Sequence, residues 1–441
     1  MRILVEASSG LLSVGGGNGH IYLDITNKPF PTVLSGRPVK IQIINDGIKM
    51  TPSNKPPYKV PSMEEIRNLP WNGFNAISTF SGCGGSSLGY KMAGYKVLWA
   101  NEFIPAAQDT YRANHGGTFL NTSDIRKVTP EDIFRETGLK KGELDLFDGS
   151  PPCAAFSTAG KREAGWGKVK KYSDTMQRVD DLFFEYSRLL EGLQPKTFVA
   201  ENVSGLVKGT AKGYFKEILK TLRDCGYRVS AKVLDASWLG VPQARQRLIF
   251  IGVRNDIGLE PVHPKPLSYQ YTVRDALPEI IAVGNIRNNT SQFGVKAVHD
   301  TSGAWSLGDV TDRPCPTITA QGEGQMYIEA GTKLSNCLQK EYDNVPVGGN
   351  SDKYFNLSRP HPEKPCPTIT QMGGSAAGVV HPFEKRKFTI AELKRVCAFP
   401  DDFILTGSYA QQWERLGRAV PPVMMYHIAK TIQEEILERI A

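Results

Sequence analysis

The stretch Asp145-Leu-Phe-Asp-Gly-Ser-Pro-Pro-Cys-Ala-Ala-Phe-Ser157 decides how this chain is read. Its apolar start has the character of a buried strand, and the Pro-Pro pair then stiffens a turn that presents Cys153 where the strand ends. Further on, Thr197-Phe-Val-Ala-Glu-Asn-Val203 repeats the design, with a buried-looking strand that releases Glu201 where sheet enzymes keep their chemistry. A thiol and a carboxylate at neighbouring strand ends suit attack on an electron-poor ring that takes up a proton as it is attacked.

Around these two strands, residues 71–255 alternate short apolar runs with amphipathic helical stretches, the pattern of an α/β, Rossmann-like doubly wound parallel sheet. Strands are expected at 76–80, 95–100, 144–147, 197–200, 228–234 and 248–253, and helices at 182–193 and 213–225. Residues 1–70 read as an N-terminal β extension, with alternating strands at 21–25 and 39–43 and a linker at 54–61. Residues 256–387 are dense in Pro, Gly and Asn and lose helical periodicity, so a smaller loop-rich β domain is expected there. Inside it Arg313-Pro-Cys-Pro-Thr-Ile-Thr319 and Lys364-Pro-Cys-Pro-Thr-Ile-Thr370 are near copies, and Lys28-Pro-Phe-Pro-Thr-Val33 is a looser third. A reused Pro-x-Pro turn entering a strand explains them as well as a shared ligand role does. Residues 388–441 return to helical spacing and are expected to pack back on the sheet domain.

A chain of 441 residues can bury a sizeable core and form two or three structural units. Its 53 Lys and Arg against 45 Asp and Glu give a formal charge of +8, which favours a polyanionic partner without requiring one. The seven cysteines are scattered, odd in number and without a Cys-x-x-Cys pair. That pattern argues against a structural zinc site or a secreted disulfide scaffold, and for a reducing cytoplasm. The first residues lack the apolar run of a signal peptide, and no segment reaches the length of a membrane span. The expectation is a cytoplasmic monomer with no metal and no membrane contact.

Ser78-Thr-Phe-Ser-Gly-Cys-Gly-Gly85 leaves a strand and enters a helix-like segment, where Gly82 and Gly84 let backbone approach a ligand and the helix start offers free amides. At the tip of the next strand stands Glu102, followed by Phe103, placed to accept hydrogen bonds from both hydroxyls of a ribose. Asp124 and Ile125 follow near the third strand, where a carboxylate can take a purine amino group. Glycine loop, ribose acid and base acid in that order describe an adenosine-containing cofactor without the full dinucleotide fingerprint.

With these residues in place, the chain from Phe74 onward resembles the DNA cytosine-5 methyltransferases. The matching motifs, in the family's order, are Phe80-Ser-Gly-Cys-Gly-Gly85, Glu102, Asp124-Ile125, Pro151-Pro-Cys-Ala-Ala-Phe-Ser157, Glu201-Asn-Val203, Gln243-Ala-Arg-Gln-Arg247, Pro365-Cys-Pro-Thr-Ile369 and Gly417-Arg-Ala-Val-Pro-Pro422. The resemblance implies S-adenosylmethionine as cofactor and double-stranded DNA as partner. It places Phe80 and Phe103 beside the adenine, Glu102 on the ribose and Asp124 near the amino group, with Ile125, Asp148, Leu182, Ala419 and Val420 completing the cofactor wall. It makes Cys153 the nucleophile that adds to carbon 6 of an extruded cytosine, Glu201 the residue gripping N3 and N4, and Arg245 a helper near the ring oxygen. Residues 256–387 then stand as the target recognition domain, with Asn288, Asn289, Gln292, Gln321 and Gln325 as edge readers by residue type. The segment 158–178 stands as a mobile loop whose Lys161, Arg162, Lys168, Lys170, Lys171 and Arg178 would clamp phosphates.

Two positions depart from the family's pattern. Ala154 follows the cysteine where the family usually has glutamine, and Arg418 stands in the Gly-x-Ala-Val position where asparagine is nearly invariable. A guanidinium beside the methionine end of the cofactor raises a rival to methyl transfer: carboxy-S-adenosylmethionine, its carboxylate paired by Arg418, giving 5-carboxymethylcytosine. The plainer expectation turns Arg418 toward Glu414, DNA phosphate or solvent. Two further alternatives are a transfer RNA cytosine-5 methyltransferase and a catalytically dead DNA-binding regulator of the same fold. The long insertion between Arg247 and Pro365 speaks for duplex DNA, and the intact Cys153, Glu201 and Arg245 speak for an enzyme.

Overall fold

The computed structural model describes residues 55–152, 182–207, 212–278, 333–354 and 357–440, together with the backbone of a few short strands elsewhere. The chain divides into compact units Met1–Pro56 and Pro57–Ala441. In the first unit, strands Leu4–Ala7, Gly10–Leu11, Val33–Leu34 and Arg37–Gln42 form an antiparallel sheet, the last of them overlapping the expected strand at 39–43. The strand expected at 21–25 lies outside the described residues.

The second unit is built on a seven-stranded sheet: β1 (Asn75–Thr79), β2 (Lys96–Asn101), β3 (Phe119–Asn121), β4 (Leu146–Gly149), β5 (Thr197–Val203), β6 (Tyr227–Asp235) and β7 (Gln246–Arg254). Their spatial order is β6-β7-β5-β4-β1-β2-β3. The expected all-parallel sheet needs one correction, because β7 runs antiparallel to both β5 and β6. Short β3 was not marked as a run of its own, since three half-exposed residues carry little apolar signal.

Alternate residues of each strand feed two separate cores, as a sheet buried on both faces requires. Ala76, Leu146, Val199, Ile249 and Ile251 pack on one face against helices α1 (Gly85–Met92) and α8 (Pro422–Glu435). Ile77, Phe147, Phe198, Leu248 and Phe250 pack on the other against α4 (Leu182–Leu193) and α5 (Lys212–Asp224). Between them in the chain come α2 (Pro105–Asn114) and α3 (Pro130–Thr137); α6 (Ile390–Val396) and α7 (Tyr409–Arg418) precede α8. Met63 and Ile66, assigned from sequence to the extension ending at 70, are buried here with Leu393, Phe399 and Trp413. Their partners lie more than 300 residues away in sequence, beyond the reach of local pattern.

Described residues of 256–387 are chiefly loop, with a short helix at Asn336–Asn344 and a small core of Leu334, Tyr342, Val345, Leu357 and Val380. Cys366–Pro367 pairs in parallel with Gln243–Ala244, so this end of the segment is stitched onto the sheet domain. Of the three repeated motifs, the one at 364–370 is described: Cys366 and Ile369 are buried, and the Thr368 hydroxyl donates to the Ala244 carbonyl at 2.6 Å. The copy at 313–319 lies outside the described residues.

Candidate active site

Strand β1 ends in a turn that bends sharply. Phe80 adopts φ +53°, a left-handed value rare for a side chain of that size, and Gly82 and Gly84 follow at +57° and +90° before α1 begins. A Cβ on Gly84 would sit 2.0 Å from His115 Nε2, and one on Gly85 would sit 2.3 Å from the Val420 carbonyl. Glycine is therefore demanded at both positions by crowding, and at Gly84 by backbone angle as well.

Glu102 leaves the tip of β2 and is buried beneath this loop. One carboxylate oxygen accepts the Gly82 N–H at 2.7 Å and the other accepts the Ile104 N–H at 2.7 Å. Burial pushes its carboxyl up from the ordinary value, opposed by these amide bonds. Each oxygen keeps a further lone pair for a ligand hydroxyl. Asp124 caps the turn Ile125–Lys127 by accepting the Arg126 N–H, and its carboxylate also pairs with the Arg126 guanidinium at 3.1 Å. Ile125 and Leu182 are buried, and Phe80 packs on the core they share.

At the other end of the site, Glu201 on β5 pairs with Arg247 at the start of β7, Nε to Oε1 2.8 Å. Register places Glu201 opposite Ile249 and Val203 opposite Arg247, so the pair are diagonal neighbours on one face. Arg247 was quoted within its motif but given no role; the antiparallel course of β7 is what brings it here. Arg245, expected near the substrate ring, is wholly buried and donates to the carbonyls of Ile369 (3.0 Å) and Gly417 (2.9 Å). Its guanidinium ties together two backbone segments that border the site.

Arg418 turns toward Glu414, with Nε and Nη2 at 2.8 and 2.7 Å from the same oxygen, while Arg415 Nη2 stands 3.2 Å from the other oxygen. One carboxylate thus lies between two guanidiniums.

These groups line a single cleft of about 580 Å³ at the carboxyl ends of the strands. Phe80, Gly82, Glu102, Phe103, Asp124, Ile125, Leu182, Glu201, Arg245, Arg418, Ala419 and Val420 all border it, as do Pro151 and Pro152. Two residues counted with the cofactor do not. Gly84 serves instead as the left-handed cap of α1. Asp148 is buried in the sheet, accepting from the Ser78 hydroxyl and the Tyr90 hydroxyl at 2.8 Å each. Cys153, the loop 158–169 and the edge-reader candidates 288–325 lie outside the described residues, as do the side chains of Lys170, Lys171 and Arg178. Besides Arg247, the sequence reading missed Arg415, Thr368, Thr370, Gln371 and Met372 of the cleft wall. The four from 368 to 372 are remote in sequence, and the near-repeat at 364–370 and the family motif Pro365-Cys-Pro-Thr-Ile369 named Thr368 and Thr370 without giving them a role.

Among the described residues no group of three or more His, Cys, Asp or Glu is placed to hold a metal ion. No described helix is long and apolar enough to cross a membrane.

The fold is that of the S-adenosylmethionine-dependent methyltransferases. A prophage-encoded Escherichia coli protein of known structure aligns with TM-score 0.60 at 23% identity, covering 83% of this chain and all of that one. A DNMT2 from Spodoptera frugiperda aligns with TM-score 0.52 at 16% identity, covering 82% and 100%. Residues 74–434 match the C-5 cytosine-specific DNA methylases, and the chain belongs to that family. It is 31% identical over 356 residues to the Type II methyltransferase M.NgoFVII of Neisseria gonorrhoeae, covering 81% of this chain and 85% of that one. It is 30% identical over 390 residues to M.NgoPII of the same organism, covering 85% and 99%. Membership makes this a DNA cytosine-5 methyltransferase, with DNA as substrate and S-adenosylmethionine as the implied cofactor.

Proposed function

We propose that the cleft holds S-adenosylmethionine at its β1–β3 end and an extruded cytosine at its β4–β5 end, and that Cys153 and Glu201 carry the reaction. The observation behind this reading is the shared cleft, in which a buried ribose-type acid, the Glu201–Arg247 pair and the Pro151-Pro152 turn leading to Cys153 all face one space. The residues suit the cofactor: Glu102 offers its two oxygens to ribose hydroxyls, Phe80, Ile125 and Leu182 form an apolar wall for the purine, and Asp124 offers a carboxylate to an amino group. When bound, the cofactor supplies an electrophilic methyl carbon.

Carbon 5 of cytosine is too weak a nucleophile to take that carbon unaided. The Cys153 thiolate adds to carbon 6, and the electron pair of the 5,6 double bond becomes available at carbon 5. Glu201, holding a proton at N3 and accepting from the N4 amino group, neutralises charge as the sulfur–carbon bond forms. Arg247 holds the Glu201 carboxyl in place through Nε, and Arg245 holds the wall at Ile369 and Gly417. A base then takes the carbon 5 proton, its electron pair re-forms the 5,6 double bond, and Cys153 leaves as the thiolate. Extrusion of the base costs a few kcal/mol, which contacts from the 158–178 loop and the 256–387 domain would offset.

Wild-type protein should form a covalent complex with duplex DNA carrying 5-fluorocytosine, and Cys153→Ser should not. Adduct formation by the serine variant, or turnover by it at the wild-type rate, would refute this assignment. Similarity to Type II methyltransferases supports protection of a restriction site as the biological role, read by sequencing modified cytosines in a host that expresses the protein.

A carboxymethyl product is the second reading. It draws on the cleft wall, where Arg415 and Arg418 both stand against the Glu414 carboxylate at the end of α7. The existing pairing of Arg418 with Glu414 favours methyl transfer. Mass spectrometry of nucleosides from modified DNA separates the two, since 5-methylcytosine alone eliminates carboxymethyl transfer.

A further inference from the structure

Asp148 is a buried carboxylate at the end of β4 that the proposed mechanism does not use. Register sets it directly opposite Ser78 of β1, on the sheet face covered by α1. One carboxylate oxygen accepts the Ser78 hydroxyl at 2.8 Å and the other accepts Tyr90 of α1 at 2.8 Å. From Ser78 the bonding continues into the glycine loop. The Ser81 hydroxyl donates to the Ser78 carbonyl at 2.9 Å and lies 3.2 Å from the Ser78 hydroxyl oxygen. The Thr79 hydroxyl returns to the Asp148 carbonyl at 3.0 Å. The next residue, Gly149, is so closely packed that a Cβ there would meet the Tyr186 ring at 2.5 Å and Thr79 Oγ1 at 2.6 Å. A burial this complete is costly for a carboxylate, and a leucine or valine would pack here without that cost.

We propose that Asp148 is a positioning residue: its carboxylate fixes the cofactor loop Ser78–Gly84 against the strand that leads into Pro151-Pro152-Cys153, so that the two halves of the site keep one relative placement. The inference rests on the cleft being the cofactor site. Its chemistry lies in acceptor capacity. An ionised carboxylate accepts both hydroxyls at once, leaving the Ser78 oxygen open to Ser81. An asparagine turns an NH₂ toward one of them, and the proton of that hydroxyl, Ser78 or Tyr90, then loses its acceptor.

Among the described residues, the titratable groups that interact electrostatically with Asp148 are Tyr90 of α1, Tyr111 of α2, Tyr186 of α4 and Glu201 of β5, none of them a cation. Burial pushes its carboxyl up to about 7. Cofactor affinity should therefore weaken as pH falls through about 7 and the acceptor gains a proton.

The test is titration calorimetry of the full chain with S-adenosylhomocysteine. Asp148→Asn should raise Kd about tenfold and Ser78→Ala severalfold. The pH dependence of Kd near 7 should vanish in Asp148→Asn. Wild-type affinity in either variant, or a fall in melting temperature with Kd unchanged, overturns the proposal. If Asp148→Asn does not fold, Ser78→Ala, which keeps the carboxylate and cuts the link, decides it alone. Failure of wild-type protein to bind S-adenosylhomocysteine would instead overturn the reading of the cleft.

Discussion

Removing either member of the Glu201–Arg247 pair should damage stability and rate together, and the geometry sets how much. The charged groups meet at 2.8 Å with side chains only 12% and 16% exposed, so most of the surrounding water is gone. Burial pulls the Arg247 guanidinium down from its ordinary value, and Glu201 is what draws it back up. Breaking a fully buried pair costs about 3–5 kcal/mol because a charge is left without its partner. With some water retained here, about 2–3 kcal/mol is expected for Glu201→Gln or Arg247→Met. The double variant leaves no unpaired charge and should recover part of that loss, giving a coupling energy of about 1.5–3 kcal/mol. Urea denaturation of the four proteins measures it. Single-turnover methyl transfer should fall about 10²–10⁴-fold in Glu201→Gln, as loss of a positioned proton donor implies. Additivity of the two single variants within about 0.5 kcal/mol would refute the pairing, and unchanged single-turnover rates would refute the role given to Glu201.

Gly84→Ala forces a Cβ to within 2.0 Å of His115 Nε2 at a φ of +90°, so a loss of about 2 kcal/mol or more is expected in thermal melts. Gly116→Ala, which meets nothing within 4 Å, should be close to neutral and serves as the control. Lys387 donates to the carbonyls of Gly373, Gly374 and Ala376 at 2.6, 2.9 and 2.7 Å and so pins the turn behind Gln371 and Met372. Lys387→Met should cost about 2–4 kcal/mol and raise the KM for DNA more than it lowers kcat. Asp148, with its folded value raised from 3.8 to about 7, binds its proton more tightly in the folded state. Its contribution to stability is therefore present at low pH and lost as pH rises through about 4 to 7, a slope that Asp148→Asn should flatten in denaturation curves.

Much of the site was legible because its chemistry sits at strand ends, and strand ends are local. Apolar runs at 197–200 and 144–147 announced β5 and β4, and Glu201 and Pro151-Pro152 follow each directly. Glu102 was legible for the same reason, as an acid released by β2. Asp148 was misread because a carboxylate beside a strand end carries no label for which face it occupies; register opposite Ser78 turns it inward. The residues from Thr368 to Met372 were quoted only in part and without a role, because Arg245 and Trp413 hold them, and Lys387 the turn that follows, through contacts long in sequence. The packing of Met63 and Ile66 beside Trp413 was hidden likewise.

The one strand that breaks the parallel pattern explains how the arginines reach the site. In a sheet of parallel strands only carboxyl ends face the ligand, and the start of each strand lies at the opposite edge. Across the length of β5, Thr197 to Val203, that is about 20 Å at 3.3 Å per residue, farther than an arginine side chain extends. Because β7 runs antiparallel, its first residues lie beside the last residues of β5, with Arg247 opposite Val203. Arg245 and Arg247 are thus delivered from a strand start to the end where Glu201 emerges. Arg247 then lies on the Glu201 face, while Arg245, ahead of the strand, reaches across to Ile369 and Gly417. A parallel seventh strand would have stripped Glu201 of its counter-charge and left the wall carrying Ile369 and Gly417 without its tie. The antiparallel reversal is accordingly part of the site and not a variation at the edge of the sheet.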